Sequence, residues 1–511
     1  MKSTPLYVGA LTAAAIASLP SLAQQRPNVI FIYADDLGYG DLECYGARNV
    51  KTPNVNRLAS EGCRFTNAFA VAATSTPSRY SLLTGEYAWR RKGTDIARGD
   101  AGMIIRPEQY TVADLFKNEG YATGAFGKWH LGLGDKTGEQ DWNAPLPCGL
   151  SDLGFDYSYI MAATGDRVPC VFIENGRVAN WDADNPIYVS YTKPFAGVPT
   201  GKERPDLCYN QMWDYDHNQA IVNGIGRIGW MKGGGKALWK DENIADSIAA
   251  HAVTFMRKHK DEPFFMYVAT NDIHVPRFPN QRFRGKTNMG VRGDVIVQFD
   301  WTVGEILRTL KELRLDDNTI VILTSDNGPV VNDGYKDEAV ERLNGHSPAG
   351  LLRGNKYSTL EGGTRIPFIV RWPGHVKAGA QSDALLSQID FFSSMAQLLN
   401  ARVPAGAAQD SRNALPTWIN TAPTDREWVI QQAADHTLSL RNRTWKYIEP
   451  TDSRPYVDSV QHIDMGYSPQ PQLYKISEDV HEDNNVAALY PDTLFRMQTL
   501  LRRLSRQRAR Y

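Results

Sequence analysis

The chain has 511 residues and a formal net charge of −1, with 42% hydrophobic and 22% charged residues. This balance is typical of a globular protein and gives no electrostatic basis for nucleic-acid binding. The length allows two domains, or one large and one small. No stretch beyond the first residues is long and apolar enough for a membrane helix, so we expect no membrane span.

The N-terminal residues have the features of a secretory signal. Lys2 supplies a positive charge, residues 6–19 are mostly apolar and small, and Ser21-Leu22-Ala23 fits a small-x-small cleavage pattern. The apolar run is too short and too rich in alanine to span a bilayer comfortably. We therefore expect residues 1–23 to be a signal peptide and the mature chain to be exported, to the periplasm or the extracellular space.

The five cysteines are an odd number, which leaves at least one free thiol in an exported chain. Cys148, Cys170 and Cys208 lie in one region, and two of them could form a disulfide, but the sequence assigns no pairing. The sequence contains no CxxC pattern, which argues against a zinc or redox cluster.

Apolar runs rich in β-branched residues alternate with helix-like segments along most of the chain. The runs are short and continuous, as expected for parallel strands buried on both faces. We predict strands at residues 29–34, 121–126, 263–269, 318–325 and 368–372. We predict helices at residues 52–62, 111–120, 241–258, 294–313 and 388–399. This alternation favours an α/β sheet.

Polar side chains follow four of these strands at their carboxyl ends. They are Asp35 and Asp36, Lys128 and His130, His274, and Asp326 and Asn327. Because functional sites in open α/β sheets gather at strand carboxyl ends, we expect these side chains to form one site. Two adjacent carboxylates need a compensating cation, which favours a metal site over a solvated acidic loop.

Two less regular segments adjoin this framework. Residues 143–238 are rich in Pro, Gly, Trp, Asp and Asn, and we predict substrate-shaping loops that include Asp166 and Arg167. Residues 351–367 are glycine-rich, which permits close backbone approach to a ligand, and Lys356 supplies a cation there. A plain turn with a surface lysine is the alternative interpretation of this second segment.

The sequence changes character after about residue 416. Residues 427–431, 444–448 and 472–476 are typical of short strands, and residues 491–508 of a helix whose arginines form a solvated face. We therefore predict a catalytic domain over residues 24–415 and a small C-terminal subdomain over residues 416–511.

Ser75 lies in a turn-prone run, with Pro77 two residues later and a fixed cation at Arg79. Proline suits the first turn of a helix, which would put Ser75 at a helix N-terminus. Free N–H groups there favour developing negative charge, as a nucleophile requires. Serine is also a favoured N-cap, and propensity alone favours the N-cap.

Three motifs resemble those of the type I sulfatase family of the alkaline phosphatase superfamily, in its serine form. They are Ser75-Thr-Pro-Ser-Arg79 with Leu83-Thr-Gly85, Gly120 to Gly132 around Lys128 and His130, and Gly354-x-Lys356 followed by Glu361-Gly-Gly-x-Arg365-x-Pro367. The resemblance covers nearly all of the mature chain. It implies a large, mixed, mostly parallel sheet sandwiched by helices, with a smaller C-terminal antiparallel sheet plus helix.

The resemblance also implies a nucleophile and a metal. In the family, the first motif residue is oxidised to formylglycine (3-oxoalanine), whose hydrate attacks sulfur and later expels sulfate. For Ser75 this requires a maturating radical-SAM enzyme that acts before export. One Ca²⁺ would be held by Asp35, Asp36, Ser75, Asp326 and Asn327, a set with the hard oxygens that calcium prefers. Arg79 would stabilise the hydrate, and Asp326 would take its proton.

The remaining residues would surround the sulfate. Lys128, Lys356 and His274 would spread its charge, with His274 as general acid to the leaving oxygen. His130 would assist sulfate release. The substrate would be a sulfated carbohydrate, similar to galactose or N-acetylgalactosamine glycans, with Asp166 and Arg167 on its hydroxyls and a second anion.

Some roles stay open at this point. An ordinary loop turn is an equal interpretation of Asp166 and Arg167. His346 could join them, although structural or surface roles are favoured for both His346 and His436. Two other functions remain: a phosphate or phosphonate monoester hydrolase of the same superfamily, and a sulfated-glycan-binding protein in which Ser75 is never oxidised.

Overall fold

The computed structural model describes residues 26–420, 422–456 and 461–509, and the predicted signal peptide lies outside these ranges. In chain order the first strands are β1 (Asn28–Ala34), β2 (Cys63–Phe69), β3 (Ala122–Lys128), β4 (Tyr157–Met161), β5 (Phe172–Glu174), β6 (Arg177–Val178), β7 (Tyr188–Ser190), β8 (Ile221–Val222), β9 (Ile225–Gly226) and β10 (Trp230–Lys232). The later strands are β11 (Phe264–Ala269), β12 (Thr319–Ser325), β13 (Arg365–Arg371), β14 (Ala380–Ser382), β15 (Leu386–Ser387), β16 (Val429–Gln432), β17 (Leu438–Arg441), β18 (Lys446–Ile448) and β19 (Gln472–Tyr474).

The α-helices cover the sheet and connect its strands. They are α1 (Pro53–Ser60), α2 (Ser75–Thr84), α3 (Val112–Asn118), α4 (Ile244–Lys258), α5 (Gly290–Glu312), α6 (Glu361–Thr364), α7 (Phe391–Leu399), α8 (Leu415–Trp418) and α9 (Pro491–Leu504). Local sequence explains several of their ends. Helix α1 begins at a proline, and a capping box between Thr111 and Asp114 begins α3. Gly85, with a φ of 66°, ends α2.

The main sheet has the order β14-β2-β13-β12-β1-β11-β3-β4-β5-β6, and β15 also pairs with β2. Its centre, from β12 through β1, β11 and β3 to β4, is parallel, whereas β13 runs antiparallel to both β12 and β2. Every residue of β1, β3, β11 and β12 is buried. The four predicted central strands are confirmed to within two residues at each end, and the sheet is mixed and mostly parallel, as expected.

A separate small sheet lies near the C-terminus. Strands β16, β17, β18 and β19 follow one another in order, each antiparallel to the next. Leu440, Tyr447 and Leu473 of this sheet share an apolar cluster with Met497 and Leu501 of α9. The predicted antiparallel sheet with one helix is confirmed, with β17 as an additional strand. The division at residue 415 stays a prediction.

The segment at residues 143–238 is more ordered than its composition indicates. Strands β4, β5 and β6 extend the main sheet, and β7 with β10 and β8 with β9 form two small antiparallel pairs. Strand β2 was also absent from the prediction, because Arg64, Thr66 and Asn67 interrupt its apolar pattern. The rest of this segment consists of loops and three short 3-10 helices at Leu150–Leu153, Pro205–Leu207 and Gly235–Ala237.

The cysteines and the helices bear on two expectations drawn from the sequence. All five cysteines, Cys44, Cys63, Cys148, Cys170 and Cys208, are free thiols, so the disulfide that the sequence allowed does not form. Among the described residues, no helix combines the length and apolar character needed to cross a membrane.

Candidate active site

The four predicted strand ends lie side by side. In the order β12, β1, β11, β3, neighbouring strands are parallel, so their carboxyl ends meet at one edge of the sheet. The side chains brought together there are Asp326 and Asn327, Asp35 and Asp36, His274, and Lys128 and His130, and all of them are buried. This strand order brings the side chains at the four strand ends into one cluster, as we expected from the sequence.

Ser75 enters the same cluster from α2. It is the first residue of the helix, while Thr74 occupies the N-cap, so the N-cap interpretation of Ser75 is wrong. Its hydroxyl donates to Asn327 Oδ1 at 3.3 Å and accepts a hydrogen bond from Lys128 Nζ at 2.8 Å. An oxygen here lies at the end of a helix that carries partial positive charge.

Lys128 connects Ser75 with the carboxylates. Its ammonium donates to Asp35 Oδ1 at 2.6 Å and lies 3.6 Å from Asp326 Oδ2. Burial lowers the pKa of Lys128, and the carboxylate of Asp35 opposes that shift. Burial in turn raises the pKa of Asp35 although Lys128 counters it. Lys128 and Asp35 therefore form a buried ion pair in which each charge is stabilised by the other.

Arg79 and Asp326 form a second buried ion pair. Arg79 donates from Nη2 and Nε to Asp326 Oδ2 at 2.7 and 3.0 Å, and both side chains are fully buried. The Arg79 guanidinium also lies 4.9 Å from the centre of the Tyr33 ring. Burial alone would raise the pKa of Asp326, but Arg79 and Lys128 hold it well below its ordinary value.

Asp36 is held by neighbours on both of its oxygens. Asn327 Nδ2 donates to Oδ1 at 2.7 Å, and Lys356 Nζ donates to Oδ2 at 2.9 Å. Lys356 also donates to Asp333 at 3.2 Å. Although burial disfavours its charge, the carboxylates of Asp333 and Asp36 hold the pKa of Lys356 well above its ordinary value. Lys356 is therefore a buried cation of the site and not a surface lysine.

The donor set fits a hard divalent cation. Asp35, Asp36 and His274 each offer one ligand atom, and these atoms all lie within 4.8 Å of one another. Oδ2 of Asp35 is buried and has no hydrogen-bond partner among the described residues. A buried carboxylate oxygen without a donor is costly, and a cation satisfies it. With carboxylates predominating, this chemistry matches calcium better than a soft metal.

The two site histidines are oriented differently. His130 donates from Nε2 to the Ala97 carbonyl at 2.9 Å, and its buried Nδ1 has no partner within the described ranges. Burial, with Lys128 and Arg167 nearby, holds the pKa of His130 well below its ordinary value, so Nδ1 is a neutral acceptor. His274 donates from Nδ1 to the Val275 carbonyl at 2.7 Å, which leaves Nε2 facing Asp36 at 3.9 Å.

A cavity of about 310 Å³ opens over Ser75. Its lining residues come from the strand ends, the 143–238 loops and the segment after the main sheet: Thr74, Ser75, Ile96, His130, Asp166, Arg167, Tyr215, Asp216, His217, Ile228, His274, Asp333, Lys356, Tyr357, Ala434, Gln461 and Met465. Ser75, His130, His274 and Lys356 therefore share this space with the predicted sugar-contacting pair, Asp166 and Arg167.

His217 belongs to the site but was not predicted from the sequence. Its Nε2 lies 3.0 Å from Asp166 Oδ2, and its Nδ1 lies 2.9 Å from the Tyr215 carbonyl. Arg167 Nη1 donates to both Asp166 oxygens at 3.0 Å. Burial opposes ionisation, but Arg167 and His217 hold the pKa of Asp166 well below its ordinary value. No motif surrounds His217, so only the fold brings it to Asp166.

The two histidines outside the motifs lie elsewhere. His346 donates from Nε2 to Asp41 at 2.8 Å, and Arg292 binds the same carboxylate. His346 does not line the Ser75 cavity, so the idea that it joins Asp166 is not supported. His436 lies 3.2 Å from the half-exposed Asp95. These contacts agree with the structural and surface roles favoured for the two residues.

A family model described as Sulfatase matches residues 27–401. The chain belongs to the sulfatase family. It is 53% identical over 477 residues to an N-acetylgalactosamine-6-O-sulfatase of Bacteroides thetaiotaomicron, with 93% of each chain covered. It is 31% identical to the steryl-sulfatase of Rattus norvegicus, over 76% of this chain and 70% of that one.

A solved structure from work on the metabolism of multiple glycosaminoglycans by Bacteroides thetaiotaomicron has the same fold. The two chains superpose with a TM-score of 0.92 at 52% identity, covering 94% of this sulfatase and 99% of that chain. Family membership and the 53% identity establish that the sulfatase is a sulfuric ester hydrolase, as the motifs implied.

Proposed function

We propose that this sulfatase removes a 6-O-sulfate group from galactose or N-acetylgalactosamine units of a sulfated carbohydrate. The reaction takes one water molecule and yields the free sugar alcohol and inorganic sulfate. The observation that carries this proposal is the position of the Ser75 oxygen. It lies at the N-terminus of α2, 2.8 Å from the Lys128 ammonium, at the floor of a cavity that two further cationic side chains line.

A plain serine hydroxyl is a poor nucleophile, because its pKa is far above neutrality and its hydrogen-bond partners among the described residues are the Lys128 ammonium and the Asn327 amide. Residue 75, once oxidised to formylglycine by a radical-SAM maturating enzyme, would supply a hydrated aldehyde as the nucleophile toward sulfur. Arg79 and Lys128 stabilise negative charge at this position. Asp326, ionised beside Arg79, accepts the proton of the attacking hydroxyl.

Charge on the transferring sulfate is spread over fixed cations. Lys128 and Lys356 are buried, so their ammonium groups act in a medium of low dielectric constant and need no reorganisation. His274 presents Nε2 to the cavity and, when protonated there, donates to the leaving sugar oxygen. His130 presents an unprotonated Nδ1 and takes a proton during sulfate release.

One Ca²⁺ ion would be held by Asp35, Asp36, Asp326, Asn327 and residue 75, and it would supply Lewis-acid polarisation to the bound sulfate group. The unpartnered Asp35 Oδ2 and the closely grouped Asp35, Asp36 and His274 atoms support a cation there. His274 is the one member of that group that we assign to proton transfer. Its Nε2 faces the cavity as well as Asp36, and the predicted oxygen donors suit calcium without an imidazole ligand.

Asp166 and Arg167 are proposed to bind the sugar together with His217. Arg167 donates to Asp166, and His217 shares the same carboxylate, so the three groups present one fixed polar wall to the cavity. A wall of this kind suits hydrogen bonding to ring hydroxyls. The similarity to an N-acetylgalactosamine-6-O-sulfatase supports the choice of sugar and of sulfate position. The signal-like residues 1–23 support export of the enzyme to the periplasm or beyond.

The test combines mass spectrometry with turnover. Protein from its native host is digested, and the Ser75 peptide is expected to have lost two hydrogens relative to serine. N-acetylgalactosamine 6-sulfate is then compared with the 4-sulfate and the 6-phosphate, with the Ser75→Ala variant as control. Faster hydrolysis of the phosphate would favour the phosphomonoesterase alternative. Unmodified serine in all molecules, without turnover, would instead favour a glycan-binding protein.

A further inference from the structure

A second cavity, larger than the one over Ser75, opens elsewhere on the molecule. Its volume is about 610 Å³, against about 310 Å³ for the Ser75 cavity, and the two share no lining residue. Six of its lining residues have aromatic, cationic or amide side chains: Tyr39, Tyr45, Arg48, Asn49, Asn344 and Arg365. None of the roles described above uses this cavity.

Two tyrosines line one side of it, each with a guanidinium group against its ring; of those two arginines, Arg365 lines the cavity and Arg64 lies behind it. The rings of Tyr39 and Tyr45 meet edge to face with centroids 5.0 Å apart. The Arg365 guanidinium lies 5.5 Å from the Tyr39 ring, and the Arg64 guanidinium lies 5.1 Å from the Tyr45 ring. The backbone carbonyl of Thr66 binds both Tyr39 and Arg365, so this row is fixed to strand β2. Aromatic faces next to fixed guanidinium groups favour planar or ring-shaped ligands that carry negative charge.

The electrostatic balance of the cavity is positive. Among its described lining residues there is no Asp or Glu. The acids nearby in sequence are already paired, Asp41 with Arg292 and Glu43 with Lys51. Arg48 is exposed and makes no ion pair or side-chain hydrogen bond with the described residues. An unpaired guanidinium is a donor fork for sulfate or carboxylate oxygens.

We propose that this cavity binds a second stretch of a sulfated glycan, apart from the sugar that enters the Ser75 cavity. The proposal rests on the proposed function for the class of its ligand. Sugar rings pack beside the two tyrosines, and a sulfate group pairs with Arg48. Occupation of both sites by one chain, or by neighbouring chains of a glycan matrix, raises the local concentration of substrate. Short substrates gain nothing from the second cavity.

The test uses the catalytically inactive Ser75→Ala protein and two probes. These are a disaccharide and a decasaccharide, both 6-O-sulfated and both containing N-acetylgalactosamine. Arg48→Ala is expected to weaken decasaccharide binding about fivefold, as loss of one ion pair implies, and the charge reversal Arg48→Glu to weaken it further. Disaccharide binding is expected to stay unchanged. The matched control is Arg177→Ala, because Arg177 is exposed on β6, at the opposite edge of the main sheet from β2.

Calorimetric binding decides the proposal independently of turnover. Unchanged decasaccharide affinity in Arg48→Glu, with its melting temperature preserved, would overturn it. Equal binding of a polyglutamate chain of matched charge would also overturn it, since the site would then be a general polyanion patch. The Arg48 variants could lose decasaccharide binding while the formylglycine-containing enzyme fails to cleave the 6-sulfate. That result would contradict the proposed function and still support the second site.

Discussion

Lys128 and Ser75, 53 positions apart in the chain, are joined by a hydrogen bond of 2.8 Å from ammonium to hydroxyl. The same ammonium holds Asp35 at 2.6 Å. One buried cation therefore contacts the proposed nucleophile and a proposed metal ligand. A substitution of Lys128 therefore removes a positive charge next to residue 75 and, at the same time, the cation that pairs with Asp35.

Replacing Lys128 with methionine keeps most of its volume and removes its charge. We expect kcat to fall about 10² to 10³-fold, the usual cost of one lost donor to developing negative charge. Steady-state kinetics on a sulfated sugar measures this. Lys117→Met is the control, because Lys117 is half-exposed and pairs with the part-exposed Asp156. A loss of similar size in both variants would contradict a specific role for Lys128.

Arg79→Gln is expected to destabilise the fold by about 3–5 kcal/mol. The change removes the guanidinium that binds Asp326 at 2.7 Å and leaves the Lys128 ammonium at 3.6 Å, and removing one partner of a buried ion pair costs that much. Urea unfolding followed by tryptophan fluorescence gives the difference. Arg308→Gln, which breaks an exposed pair with Glu305, is expected to cost about 1 kcal/mol or less. If the two variants lost equal stability, the buried ion pair would have no special contribution.

Asp272 makes folding stability depend on pH. Burial raises its pKa from 3.8 to about 7, while a hydrogen bond from Gln298 opposes the shift. Between these values the native state keeps a proton that the unfolded chain has released, so stability falls as pH rises from about 4 to about 7. We expect Asp272→Asn, which stays neutral, to flatten part of that fall.

The measurement is the free energy of unfolding at several pH values for both proteins. Each unit of pKa difference corresponds to about 1.4 kcal/mol, so the effect of Asp272 is on the order of a few kcal/mol. Some slope is expected to remain in the variant, because burial also raises the pKa of Glu482 to about 7. Identical pH profiles for the two proteins would show that Asp272 is ionised in the folded state.

Calcium is expected to raise the melting temperature of the apoprotein, since any ligand that binds only the native state stabilises it. The shift should be present in Ser75→Ala as well, because Asp35 and Asp36 remain. Asp35→Asn removes the carboxylate whose Oδ2 has no hydrogen-bond partner among the described residues, and it should abolish most of the shift. Magnesium serves as the comparison ion. A shift that persists in Asp35→Asn would place the cation elsewhere.

Local sequence was sufficient for the central strands and for the polar residues that end them. A strand buried on both faces must be continuously apolar, and polar residues at its carboxyl end stand out against that run, as Asp35 and Asp326 do. Strand β2 shows the limit. The polar residues Arg64, Thr66 and Asn67 interrupt its apolar pattern. The strand forms because it pairs with β13, and that long-range pairing is not visible in the local sequence.

The sequence by itself determined the residue types of the active site and, through three motifs, the family. Only the tertiary structure decided their neighbours, because strand order and loop packing are long-range properties that no local pattern records. Strand order places Asp326, Asp35 and Lys128 at one edge of the sheet. Loop packing places His217 against Asp166 and His346 against Asp41. Neither histidine lies in a motif, so the sequence does not distinguish their positions.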